Sequence, residues 1–139
     1  MHPHERPSVV VLSAADGVWI ERAEGIRTRY LVSPAEGSTA FLTGITEFDP
    51  NRGLPLHLHN CQESVVILEG MARFEADQER FLLQVGDTTM MEPGVVHRFE
   101  NTGTARLRIL WIYGSSTATR TLVATGETVT IGSVDDRLW

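Results

Sequence analysis

Polar and apolar positions alternate along much of this chain. Ala72, Phe74 and Ala76 are interleaved with Arg73, Glu75 and Asp77, and His97 and Phe99 with Arg98 and Glu100. Leu107 and Ile109 are interleaved with Arg106 and Arg108, and Trp111 and Tyr113 continue the same parity. A period of two sends successive side chains to opposite faces of a strand, so each stretch has one face to bury and one to leave in water. Short runs rich in β-branched and aromatic residues recur from end to end, punctuated by Gly, Pro, Asn and Asp. The pattern predicts strands over 8–12, 17–21, 26–32, 39–48, 54–59, 63–68, 72–76, 80–83, 88–91, 97–100, 105–113, 119–124 and 128–131. It also predicts a hairpin turn at Asp77-Gln78 and one short helical turn over 33–37. Strands this short and numerous predict an all-β antiparallel sandwich or barrel.

The length, 139 residues, suits a single domain over 1–139, with its core over about 39–113 and the terminal strands flanking it. No apolar run approaches a membrane span. The amino-terminal Met1-His-Pro-His-Glu-Arg lacks the apolar segment of a secretory signal. Cys61 is the lone cysteine, which fits a reducing cytoplasm. A net charge of −6 without a basic cluster argues against nucleic acid as partner. Every basic residue but histidine is arginine, so Schiff-base chemistry and lysine general bases are excluded.

Candidate chemistry concentrates in two stretches, 53–70 and 86–101. His57 and His59 are two apart and share a face; Glu63 lies four positions on with the same parity. His97 falls on the apolar face of its own alternating stretch. Three imidazoles and a carboxylate meeting at one point would make a site for a divalent transition metal.

The two stretches resemble the paired signature motifs of the cupin superfamily. The first family motif runs Gly, five residues, His-x-His, three or four residues, Glu, six residues, Gly. His57, His59, Glu63 and Gly70 fit it, while Gly53 stands closer to His57 than the pattern asks. The second runs Gly, five residues, Pro-x-Gly, two residues, His, three residues, Asn. Gly86, Gly94, His97 and Asn101 are in register, whereas Glu92 occupies the proline position and Pro93 follows it. These departures touch turns and not ligands. The resemblance implies a double-stranded β-helix, or jelly-roll, barrel with one divalent metal (Fe, Mn, Ni or Zn) held by His57, His59, Glu63 and His97. It also implies a small-molecule ligand. Single-domain cupins include dioxygenases, isomerases, decarboxylases, lyases and cyclases, and some cupin barrels only bind sugars or acids.

Within that range the expectation is a dioxygenase acting on a small organic acid or an aromatic or enolizable substrate. A metal-assisted isomerase, lyase or cyclase, or a binding module, is the alternative. Glu92 and Tyr113 are the candidate acid–base groups. Arg52, Phe41, Phe99 and Trp111 are the candidate substrate contacts, and Cys61 is expected to be a packed side chain in a turn. His2 and His4 repeat the His-x-His spacing but are expected to bind metal only adventitiously. With His57 and His59 facing inward, Leu56, Leu58, Val66 and Leu68 face outward. Apolar area left in water costs about 25 cal/mol per Å², so a homodimer with terminal strands contributing is expected.

Overall fold

The structure, a computed structural model, describes residues 8–136; His2 and His4 lie outside them. Twelve strands follow in order. They are β1 (Ile20–Ala23), β2 (Ile26–Val32), β3 (Leu42–Phe48), β4 (His57–His59), β5 (Glu63–Glu69), β6 (Met71–Ala76), β7 (Glu79–Gln84), β8 (Thr88–Met91), β9 (His97–Glu100), β10 (Leu107–Tyr113), β11 (Thr119–Leu122) and β12 (Thr128–Thr130). They form two six-stranded sheets, ordered β1-β2-β3-β10-β5-β8 and β12-β11-β4-β9-β6-β7. Each strand pair is antiparallel. Between the sheets, Ile26, Phe48, Val65, Ile67, Phe99 and Leu107 are buried. These are the inward members of the alternating pattern.

Turn chemistry follows from local sequence. The β6–β7 hairpin turns on Asp77 and Gln78, both at positive φ (50° and 68°), as a tight two-residue hairpin turn demands. Gly70, between β5 and β6, has φ 83°. A Cβ there would lie 2.4 Å from the Arg106 carbonyl oxygen, so conformation and space both require glycine. The helical turn expected over 33–37 is a 3-10 turn, Pro34–Glu36, between Ser33 and Gly37. A second one, Ala14–Asp16, was not anticipated by the pattern.

The strand boundaries differ from expectation where side chains or proline intervene. β4 starts at His57 and not at Leu54, because Pro55 has no N–H to give to a ladder. β10 starts at Leu107, because the Asn101 side chain takes the Ala105 carbonyl at 2.9 Å. The run 8–12 forms no strand. Its unbroken apolar sequence has no alternation to define a buried face, and Val9 and Val11 are exposed.

Outward positions are treated in two ways. Arg27, Glu47, Arg108 and Glu69 stand in cross-strand register on β2, β3, β10 and β5. Glu47 accepts from Arg27 Nε at 2.8 Å and from Arg108 Nε at 2.8 Å. Burial acts to raise the Glu47 pKa, but its bonds from Arg108 and Arg27 outweigh that and hold it below the ordinary carboxylate value. By contrast, Leu68 and Met90 are exposed on the outer face of adjacent strands β5 and β8, and Leu56, Leu58 and Val66 are half-buried.

Candidate metal centre

The register places the histidines. His57 of β4 is directly opposite His97 of β9, and His59 leaves the same face of β4 two residues on. Glu63 opens β5 in the facing sheet, opposite Met91 and Tyr113. All four side chains point between the sheets, and all four residues are buried. The ligating atoms of His57, His59 and His97 lie within 4.8 Å of one another. Glu63 Oε1 is 3.1 Å from His97 Nε2 and 3.6 Å from His59 Nε2.

Each imidazole is oriented by its other nitrogen. Nδ1 of His57 is 2.7 Å from the Pro55 carbonyl oxygen, that of His59 is 2.9 Å from the Thr119 carbonyl, and that of His97 is 2.9 Å from the Val95 carbonyl. A carbonyl only accepts, so Nδ1 carries the proton in each ring and Nε2 presents a lone pair. Burial, reinforced by the neighbouring histidines, holds His57 well below its ordinary pKa. Burial also lowers His59, against the pull of Glu63. Burial acts to raise the Glu63 pKa, and hydrogen bonding with Tyr113 acts to lower it. Nε2 of His59, Nε2 of His97 and Oε1 of Glu63 are buried with no hydrogen-bond donor. Acceptors facing acceptors at these distances repel one another, and a cation among them reverses the sign. The donor set therefore fits a divalent transition metal, which His57, His59, Glu63 and His97 would hold.

A cavity of about 40 Å³ adjoins the centre. Trp111, Phe99 and Tyr113 wall it, as the alternation on β9 and β10 led one to expect. The Tyr113 ring stands 4.7 Å from that of His59, centroid to centroid. Burial, the Glu63 charge and hydrogen bonding with Glu63 push its hydroxyl well above the usual phenol range, so it stays neutral. Trp111 Nε1 donates to Thr46 Oγ1 at 2.9 Å.

Three candidate residues, one acid–base group and two substrate contacts, lie elsewhere. Glu92 is exposed and accepts from Gln62 Nε2 at 3.0 Å. Pro93 follows it in a surface turn, and nothing there aims the carboxylate inward. Arg52 is exposed and faces Glu24 at 3.3 Å. Phe41, just before β3, is exposed. None of the three borders the cavity. Cys61 is buried, as expected of a packed side chain, and its sulfur is not among the converging donors. What the sequence did not reveal is that Arg22 and Arg120 line the same cavity. Arg120 reaches it because its partner in register is His59, a pairing that only the fold sets.

A family model described as a cupin domain matches residues 44–113. The chain belongs to the cupin family. The matched span runs from β3 to β10 and includes all four candidate ligands. This cupin is 39% identical over 56 residues to the uncharacterized protein MJ1618 of Methanocaldococcus jannaschii; the alignment takes in 40% of this chain and 45% of that one. Its barrel superimposes on the polyketide cyclase RemF of Streptomyces resistomycificus with a TM-score of 0.71 at 18% identity, covering 92% of this chain and 89% of that one. It also superimposes on KdgF from Halomonas sp., with a TM-score of 0.67 at 15% identity over 77% and 94% of the two chains. With an S161A mutant of the oxalate decarboxylase OxdC of Bacillus subtilis the TM-score is 0.68 at 24% identity, over 76% of this chain and 30% of the other. Identities this low establish the jelly-roll fold of this cupin and leave the reaction to its own residues.

Proposed function

We propose that the protein is a metal-dependent enzyme acting on a small organic acid, with His57, His59, Glu63 and His97 as ligands and dioxygenase chemistry as the reaction. The observation that carries the reading is the set of buried lone pairs without donors on His59, His97 and Glu63. A divalent ion bound there supplies Lewis acidity and, if redox-active, a place for dioxygen. The chain's own residues then have defined tasks. Trp111 and Phe99 shield one side of the reacting centre from water. Tyr113, neutral and beside Glu63, steadies that carboxylate.

The choice of an oxygenase over an isomerase or lyase rests on what borders the cavity. Proton-shuttling reactions need an acid or base poised beside the substrate. Glu92 is on the surface, and Tyr113 is held far from titration near neutrality. A reaction driven by the metal and dioxygen asks for neither. The proposal includes one cupin domain over 1–139, a cytoplasmic setting, and a homodimer formed through the outer face that exposes Leu68 and Met90. Among the described residues no helix is long and apolar enough to cross a membrane.

The test is elemental analysis of the purified protein followed by oxygen-uptake measurements over a panel of small carboxylic acids. One redox-active ion per chain with substrate-dependent uptake is expected. A stoichiometric redox-inactive ion, with no uptake on any acid of the panel, would overturn the oxygenase reading.

A further inference from the structure

The cavity beside the histidines is too small for an organic substrate. Its volume of about 40 Å³ holds a water or two, whereas pockets for small organic ligands run to about 300–1,000 Å³. Something in the wall must give way for a substrate to enter, and the wall beside the metal ligands contains an unusual element. Arg22 of β1 and Arg120 of β11 both line the cavity. Their side chains are 8% and 5% exposed, and the carboxylate between them, Asp136, is 1% exposed.

Asp136 belongs to no strand. It follows β12 at the end of a loop whose residues 132–135 are exposed, so the loop is anchored at Ile131 and Asp136. Four groups grip its carboxylate. Oδ1 accepts from Arg22 at 2.7 Å and from an Nη of Arg120. Oδ2 accepts from the Tyr30 hydroxyl at 2.9 Å and from the Gly132 N–H at 2.8 Å. Arg22 Nε also donates to the Asp136 carbonyl at 3.1 Å. Two guanidinium groups and a phenol around one carboxylate are what recognition of a carboxylate requires. The recogniser is built on strands β1, β2 and β11, while its ligand arrives on a loop. β12, which leads into that loop, is a three-residue edge strand paired with β11. Short edge strands and exposed loops are the segments that open at least cost.

We propose that Asp136 is a built-in stand-in for the substrate's carboxylate, and that a small carboxylate substrate displaces it, binding Arg22 and Arg120 with its other end towards the metal ligands. Entry of the anion swings the 131–136 loop outward and opens the cavity. The orientation towards the metal rests on the function proposed above; the anion site itself does not.

The experiment uses full-length protein, malonate as the anionic probe and malonamide as its neutral counterpart. Calorimetric titration is expected to give at least tenfold tighter malonate binding to Asp136→Asn than to the unsubstituted protein, with malonamide the same for both. The gain should vanish in the Arg120→Gln/Asp136→Asn double variant. In the unsubstituted protein, saturating malonate should speed amide hydrogen exchange in the 131–136 peptide, and malonamide should not. Should Asp136→Asn fail to fold, the exchange measurement on the unsubstituted protein decides alone. Unchanged or weaker malonate binding by the folded variants, or unchanged exchange over 131–136, would overturn the proposal and leave the cluster a buried staple. Metal content measured on the same samples separates the two readings. A malonate gain in protein without metal retains the anion site and removes the metal centre, while full metal occupancy without the gain does the reverse.

Discussion

Gly44 sits at the centre of β3, between Tyr30 of β2 and Trp111 of β10. The Trp111 ring lies flat over the place where a side chain would be. A Cβ on residue 44 would stand 2.0 Å from Cζ2, 2.4 Å from Cη2 and 2.6 Å from Cε2 of that ring. Gly44→Ala thus forces a buried indole to move by more than an ångström. The ring is hemmed in by Tyr30 at 5.7 Å and Tyr113 at 5.0 Å, centroid to centroid, and tied through Nε1 to Thr46. Three effects compete. Replacing glycine within a strand restrains the unfolded chain and favours folding by about 0.5–1 kcal/mol. Overpacking a filled core costs about 1–3 kcal/mol, and losing the Trp111–Thr46 hydrogen bond costs a further 0.5–1.5 kcal/mol or so. The unfavourable effects win, and a net destabilisation of about 1–3 kcal/mol is expected. Urea denaturation followed by circular dichroism measures it, and the near-ultraviolet spectrum should lose intensity as the indole leaves its fixed position. Trp111→Leu has no atoms at that reach, so in its background Gly44→Ala should cost less than about 0.5 kcal/mol. A loss below about 0.5 kcal/mol in the unsubstituted background, with an unaltered near-ultraviolet spectrum, would refute the packing argument.

Three further outcomes are expected. Asn101→Ala strips partners from the Phe48 carbonyl (3.0 Å), the Ala105 carbonyl (2.9 Å) and the Gly103 N–H (3.0 Å), and should cost about 2–4 kcal/mol in urea denaturation; a cost under about 1 kcal/mol would show the loop to be held by other contacts. Glu47 has a depressed pKa in the folded protein, so its contribution is complete above the unfolded-chain value of about 4.3 and is lost as pH falls through the folded value. Stability of Glu47→Gln should accordingly decline less steeply below that pH than stability of the unsubstituted protein, and parallel acid limbs would contradict the assignment. His59→Ala should reduce bound metal from stoichiometric to trace in elemental analysis while the strand signal in circular dichroism persists, and retention of full occupancy would remove His59 from the ligand set.

Much of the barrel was legible in the chain because a strand's side chains alternate whatever surrounds it. Ile26–Val32, Thr88–Met91 and His97–Glu100 have the bounds that alternation and punctuation predict. The inward parity of His57, His59, Glu63 and His97 was readable for the same reason. Phe99, Trp111 and Tyr113 reach the cavity because their parity matches that of His97 and Leu107. The candidates that lie away from the cavity fall where parity carries no information. Glu92 and Phe41 lie in turns, where backbone direction is not periodic, and Arg52 lies in the loop before β4.

The sequence by itself determined which residues each strand turns inward, because that depends on bonds between neighbours in the chain. Only the tertiary structure decided which inward faces meet. Arg22 and Asp136 are 114 positions apart, and Tyr30 and Asp136 are 106 apart. No local pattern links them, and each alone reads as an ordinary surface charge or a strand aromatic. Pairing of β11 with β4 carries Arg120 beside His59, and the turn after β12 brings a carboxylate into the barrel wall. Those contacts are set by sheet order and loop closure, which exist only once the two sheets have packed.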